Sequence, residues 1–314
     1  MKTIIEQLRK QNSFLLLGHV SPDGDTLGSV SALAGGLRRL GKQVICAVDG
    51  AVPDKLWFLR GEFYAYEDCP DTPVDCIVAV DCGDLTRLGR FAERFLDQGN
   101  TMVIDHHGTN TGYGKINLIR PYGATGQIIL ELLEAMELLP DAKMADALYA
   151  AISTDTGNFS YSNTDPAILA AASRLRGYGA DIPTLMDGIY HRRSFAATRL
   201  IGQALERLTL HSTGRIATMY VLQSDYQVFG AQKEDCDELI NYAREVEGVE
   251  IALFLRQIGP EKFKVSLRSK EYADVAKLAV EFSGGGHLHA AGCTVEGKLE
   301  DNIALLVEKA EQLL

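Results

Sequence analysis

Short, uninterrupted apolar runs separated by helical patterns dominate the first half of this chain. Residues 14–18, 44–48, 76–80 and 101–104 each read as a strand, and residues 26–40, 125–136 and 144–153 carry helical spacing. Residues 166–178 and 182–190 read as further helices, each led by a capping acid, Asp165 and Asp181. A strand that is apolar at every position rather than at alternate ones is buried on both faces. Alternating with helices, such strands predict an α/β fold: a mostly parallel sheet with helices on both faces.

The pattern changes after residue 194. Residues 195–210 lack Gly and Pro except for Gly202, and residues 195–212 read as a helical connector. Strands are expected at 215–222, 249–258, 262–269 and 290–295, the middle two paired around Gly259-Pro260-Glu261, with helices at 236–246, 275–282 and 299–314. That is a smaller mixed α/β domain. A length of 314 residues suits two cores better than one. The division expected is therefore 1–194, a connector over 195–212, and 213–314.

Acids and histidines gather where the first-half strands end. In open α/β sheets ligands bind at the carboxyl ends of the strands, so position and chemistry agree. The first group is His19-Val-Ser-Pro-Asp23-Gly-Asp25-Thr-Leu-Gly28-Ser29, which opens a helix. Helix capping accounts for one of its acids but not for His19 and a second Asp. The second is Asp81, after the apolar run CIVAV; alone it would pass for a turn residue. The third is Asp105-His106-His107, whose adjacent histidines can supply one metal ligand and one group facing a reacting phosphate. The fourth is Asp155, expected at a helix C-terminus, where a carboxylate meets the negative end of the dipole and a cation would resolve the conflict. Carboxylate oxygens with imidazole suit Mn²⁺, with Mg²⁺ a lesser fit and Co²⁺ or Zn²⁺ as substitutes. Two such ions roughly 3.5–4 Å apart, bridged by a carboxylate and a water, form a common hydrolytic arrangement.

Near the C-terminus, Ser266-Leu-Arg268-Ser269 precedes Gly284-Gly285-Gly286-His287-Leu-His289-Ala-Ala-Gly292. Successive glycines let a ligand approach the backbone and its N–H groups, and an arginine can grip a phosphate with two parallel bonds.

Taken together, HxxPDxDxxGS at His19–Ser29, the strand-end Asp81, the triplet Asp105–His107 and the later Asp155 resemble the DHH phosphoesterase superfamily. The Arg-Ser strand and the GGGH segment resemble the associated substrate domain of that superfamily. The two-domain plan without extra modules is most similar to the nanoRNase/pAp-phosphatase branch. The resemblance implies that His19 and Asp23 hold one cation, that Asp25, His106 and Asp155 hold the other, and that Asp81 bridges them. It further implies that His107 contacts the phosphate and assists catalysis, with Asp105 supporting the histidines. Arg268, Ser269, Gly284, Gly285, Gly286 and His287 would bind substrate. The activity implied is Mn²⁺-dependent hydrolysis of short oligoribonucleotides, of linear dinucleotides such as pGpG and pApA, and of 3′-phosphoadenosine 5′-phosphate (pAp). A homodimer is implied as well.

Charge narrows the substrate. With a formal net charge of −11, the chain offers little to a long nucleic-acid polymer, whose binding draws on many Lys and Arg contacts. A processive nuclease is disfavoured on that ground. Alternatives are a cyclic-dinucleotide phosphodiesterase, a pyrophosphatase or polyphosphatase, and a non-catalytic nucleotide sensor; a sensor would ordinarily have lost a ligand, and every ligand of the pattern is present. The six cysteines form no CxxC pair and read as reduced, buried thiols. No stretch approaches the length of a membrane span and the N-terminus lacks a leader-type apolar core, so a cytoplasmic location and no membrane partner are expected.

Overall fold

A computed structural model describes residues 1–236 and 238–314, the side chains of Glu234 and His287 lying outside the described set. The chain divides into two units, Met1–Arg192 and Arg193–Leu314.

The first unit contains β1 (Ser13–Leu17), β2 (Gln43–Val48), β3 (Tyr64–Ala65), β4 (Cys76–Val80), β5 (Thr101–Asp105) and β6 (Ile116–Ile119). They form one sheet in the order β3-β2-β1-β4-β5-β6, with every pairing parallel. The continuous apolar runs have a direct cause. Phe14 and Leu16 of β1, with Val78 and Val80 of β4, enter one core; Leu15, Leu17, Ile77 and Ala79 enter another on the opposite face. Helices Lys2–Lys10, Gly24–Arg39, Thr125–Ala135 and Ala142–Asp155 contribute to the first core, and Leu88, Phe91 and Phe95 close the second. The chain leaves β1 towards β2 and later returns to β4 on the other side of β1, so the strand order reverses between β1 and β4. At such a reversal the connections diverge and leave a crevice beyond the strand ends.

Two short strands of this sheet, β3 and β6, carry no apolar run long enough to read locally. The expected helix 182–190 is an α-helix only over Ile182–Met186, and the wider turn Asp187–His191 continues it.

The second unit has β7 (Thr209–His211), β8 (Ile216–Val221), β9 (Ile251–Gly259), β10 (Lys262–Ser269), β11 (Gly285–His287) and β12 (Ala290–Glu296) in the order β11-β12-β10-β9-β8-β7. Only β8 and β9 run parallel; the other pairs are antiparallel. Leu253, Leu255, Val265 and Leu267 face helices Val275–Glu281 and Leu299–Glu311, while Ala217, Met219 and Phe254 face helices Phe195–Glu206 and Leu239–Arg244. The connector expected over 195–212 is helical at Phe195–Glu206 and falls in the second unit. The helix ends at Glu206, Leu200 and Ala204 are fully buried against the second sheet, and residues 209–211 already form its edge strand. Among the described residues, no helix is long and apolar enough to cross a membrane.

Candidate metal centre

The carboxyl ends of β1, β4 and β5 lie side by side, and each delivers part of the acid–histidine set. After β1 the chain turns through Gly18 to His19 and on to Asp23, which caps the helix Gly24–Arg39 by accepting from Thr26 N at 3.1 Å. That helix can approach its neighbour only because residue 28 is glycine: a Cβ there would lie 2.2 Å from the carbonyl oxygen of Ala147. The approach sets Asp25 at the start of a different helix. Its carboxylate accepts from the backbone N–H groups of Thr125 at 2.7 Å and Gly126 at 2.8 Å, and from Ser29 Oγ at 3.1 Å. Helix Thr125–Ala135 has no side-chain cap of its own, since its N-cap residue is Ala124. Asp25 supplies that cap from elsewhere in the chain, where an anion meets the positive end of a helix dipole.

Asp81 follows β4 in the left-handed region, at φ 60°. For a non-glycine residue that costs roughly 1–2 kcal/mol. Its N–H holds to Ile104 O of β5 at 2.9 Å, and its carboxylate is held at both oxygens: Thr26 Oγ1 donates to Oδ2 at 2.7 Å and Thr125 Oγ1 donates to Oδ1 at 2.9 Å.

The three histidines present different faces. Nδ1 of His19 bonds to Val20 O at 2.7 Å, and Nδ1 of His106 to Tyr122 O at 3.0 Å. A carbonyl can only accept, so each ring carries a proton on Nδ1 and turns the Nε2 lone pair inward. Nε2 of His19 lies 3.5 Å from Asp23 and 3.8 Å from Asp81. Nε2 of His106 lies 3.5 Å from Asp155, 3.7 Å from Asp81 and 3.9 Å from Asp25. His107 differs: its Nδ1 bonds to Asp105 Oδ1 at 2.8 Å, and Asn110 Nδ2 donates to the other Asp105 oxygen at 2.7 Å. The Asp105 carboxylate lifts the His107 imidazole to about 9. Nδ1 of His107 is also 3.9 Å from Asp81, but the Asp105 bond occupies the proton-bearing face of that nitrogen.

His19, Asp23 and Asp81 thus form one compact donor group, and Asp25, His106 and Asp155 a second; in each, the candidate ligand atoms lie within 4.8 Å of one another. Asp81, His106 and His107 form a third such group. Asp25 and Asp81 are almost fully buried, and Asp155 is the last residue of its helix. Burial, with the charge of neighbouring acids, raises Asp25 well above the usual carboxylate range and raises Asp81 despite the opposing imidazoles. Burial and the charges of Asp81 and Asp23, partly countered by His106, push Asp155 up to about 6. Three carboxylates converging with inward-facing imidazole Nε2 atoms are a donor set for divalent cations. The residues fit that group.

Thr26, Thr125 and Asn110, none of them among the expected site residues, orient the acids rather than join them. Only Thr26 lay inside a recognisable motif.

The substrate-binding set expected in the second unit lies at the end of β10, just before β11 and on β11. Arg268 and Ser269 end β10, and the glycines lead into β11. Ser269 is turned inward: its hydroxyl donates to Ala273 O at 2.6 Å and bonds with His289 Nδ1 at 2.9 Å. A Cβ on Gly284 would meet Gly292 O at 2.2 Å, and one on Gly286, at φ 152°, would meet Ala290 O at 2.4 Å, whereas Gly285 faces open space. Two of the three glycines therefore allow a tight β11–β12 pairing. The N–H of Gly284 is engaged by Ala279 O at 2.8 Å. The side chain of His287 lies outside the described residues.

Residues 13–152 match the DHH family, N-terminal domain, and residues 215–314 match the DHHA1 domain. A bifunctional oligoribonuclease and PAP phosphatase NrnA from Thermus thermophilus is 33% identical over 302 residues, covering 95% of this chain and 89% of that protein. The Bacillus subtilis protein of the same name is 25% identical over 300 residues, covering 94% and 93%. The crystal structure of an exopolyphosphatase-related protein from Bacteroides fragilis superposes with a TM-score of 0.92 at 26% identity, covering 99% of this chain and 96% of that one.

Proposed function

The chain belongs to the DHH family and is a metal-dependent phosphoesterase, and from that premise we propose that it hydrolyses short oligoribonucleotides, linear dinucleotides such as pGpG and pApA, and pAp. The observation that carries the reading is the position of Asp81, whose two oxygens face two different imidazoles, His19 and His106. A carboxylate so placed could serve two cations at once, one that His19 and Asp23 would hold and one that Asp25, His106 and Asp155 would hold.

Two divalent cations, Mn²⁺ above Mg²⁺ or Co²⁺ for this mixed oxygen and nitrogen set, would acidify a bound water and neutralise charge on the phosphate. The chain's own residues do the rest. His107 is half-exposed, with its Nδ1–H held by Asp105, so its Nε2 is the atom available to a phosphate oxygen or to a leaving group. Lifted by Asp105, it carries a proton at neutral pH and can donate it. Arg268 and the GGGH segment are proposed to bind the nucleotide. The oligoribonuclease and PAP phosphatase names of the two relatives, each matched along nearly its full length, support the substrate class. Free thiols at all six cysteines suit a reducing cytoplasm, which is the proposed setting. Homodimerisation is part of the proposal and is checked by light scattering at micromolar concentration.

The test is Mn²⁺-dependent turnover on pApA, pGpG, pAp, c-di-AMP, pyrophosphate and RNAs from two to about ten nucleotides, the upper end exceeding one single-strand site of ~4. Turnover of the linear dinucleotides and pAp is expected, with loss in Asp81→Ala. Turnover confined to c-di-AMP or to pyrophosphate would replace the proposed substrate; full activity in Asp81→Ala would remove the two-metal centre.

A further inference from the structure

Asp81 is 2% exposed, so water cannot stand in for a lost hydrogen bond. Its two oxygens are treated symmetrically, but by different helices. Oδ2, the oxygen 3.8 Å from His19 Nε2, accepts from Thr26 in the first turn of helix Gly24–Arg39. Oδ1, the oxygen 3.7 Å from His106 Nε2, accepts from Thr125 in the first turn of helix Thr125–Ala135. Both threonines are fully buried, and neither belongs to a candidate ligand group.

We propose that Thr26 and Thr125 are positioning residues that each tune a different one of the two metal sites, Thr26 the His19–Asp23 site and Thr125 the Asp25–His106–Asp155 site, through opposite oxygens of Asp81. This rests on the two-metal reading above. A carboxylate held at one oxygen can still swing about its Cβ–Cγ bond; held at both, its plane is fixed and each oxygen keeps one direction for a cation. Thr125 has a second hold on its own site, because its backbone N–H also binds Asp25. Removing one hydroxyl frees the oxygen it held, and the cation that shares that oxygen loses most. Outer partners of ligating groups are commonly worth about 10–100-fold in metal affinity. Valine removes the hydroxyl while keeping the shape and the backbone N–H, and serine restores the hydroxyl.

The experiment reads Mn²⁺ binding without substrate, by the paramagnetic resonance signal of the free ion during titration. Wild type is the control for the two-metal reading and is expected to take up two ions. Single-site backgrounds separate the sites: His19→Ala leaves the Asp25–His106–Asp155 site, and Asp155→Ala leaves the His19–Asp23 site. In His19→Ala, Thr125→Val should weaken Mn²⁺ binding by about tenfold or more, and Thr26→Val by less than about twofold; in Asp155→Ala the order should reverse. Thr125→Ser and Thr26→Ser should bind as their parents do. Circular dichroism of each variant at the titration temperature confirms that it is folded, so that a lost site is not a lost fold. Two ions in wild type with equal weakening in both backgrounds, with none in either, or with no rescue by serine would overturn the site-by-site positioning and leave the two-metal centre standing. Fewer than two ions in wild type would overturn both.

Discussion

Nδ1 of His107 and Oδ1 of Asp105 meet at 2.8 Å, which makes His107 the one imidazole of the centre tethered to a carboxylate instead of a backbone carbonyl. His19 and His106, tethered to carbonyls through Nδ1, turn Nε2 towards the converging acids. His107, facing a charged partner, is set to hold a proton.

His107→Ala should therefore keep most of its bound Mn²⁺ while losing turnover by about 10²-fold or more, the scale of a lost acid or phosphate-contacting group. Metal content after gel filtration, measured beside kcat on pApA, checks it. A variant that comes off the column short of one ion would make His107 a ligand and reassign its role.

Stability of the metal-free protein should depend on pH through the converging acids. Asp155 is raised from an ordinary 3.8 to about 6, and Asp25 and Asp81 move the same way. A raised folded-state value means that the folded protein binds the proton more tightly than the unfolded chain. The resulting stability is fully present below the unfolded value of 3.8 and is lost as pH rises through about 6. Asp155→Asn should flatten the fall in metal-free Tm over this window, and added Mn²⁺ should reverse the loss at neutral pH. Differential scanning fluorimetry across the window gives the answer; parallel profiles for wild type and Asp155→Asn would contradict it.

Two helical glycines should respond in opposite directions to alanine. Gly28→Ala drives a methyl group to 2.2 Å from Ala147 O, a backbone atom that cannot step aside. Overpacking of this kind costs about 1–3 kcal/mol, more than alanine's gain in helix propensity. Gly202 sits in an exposed helical position with nothing within 4 Å of its would-be Cβ, so Gly202→Ala should stabilise by about 0.5–1 kcal/mol. Denaturant midpoints of the two variants test the pair, and a Gly28→Ala protein as stable as wild type would refute the close approach.

Substrate length should matter because charge is scarce. At a net charge of −11, each further phosphate is brought towards a chain that is acidic overall. The value of kcat/KM should fall as RNA grows beyond a few nucleotides, and salt should weaken binding only slightly, since few counterions are released. A series of 5′-labelled RNAs at two salt concentrations decides. Equal efficiency on long strands with a steep salt dependence would point instead to a processive nuclease.

Much of the centre was legible in the linear chain. The apolar runs of β1, β4 and β5 mark buried strands because each residue of a parallel strand meets a core on one face or the other. The acids and histidines at their ends are chemically out of place without a cation. Residues 195–206 read as helical, but nothing local announced that Leu200 and Ala204 would be buried against the second sheet. Nor did the run of glycines at residues 284–286 announce that Gly284 and Gly286 allow a tight strand pairing.

The sequence by itself determined which side chains stand at the strand ends and the order in which the strands and helices follow, because hydrophobic periodicity and chemical identity are local properties. Only the tertiary structure decided how those side chains are held. Asp25 caps a helix whose first residue is 100 positions away, and Asp81 takes its hydroxyl bonds from residues 55 and 44 positions distant. Partners at such separations meet only after the helices have packed on the sheet, so no periodicity in the chain announces them. The physical reason is burial: once water is excluded, each carboxylate oxygen must find a donor in whatever the fold brings beside it, and that choice belongs to the packing.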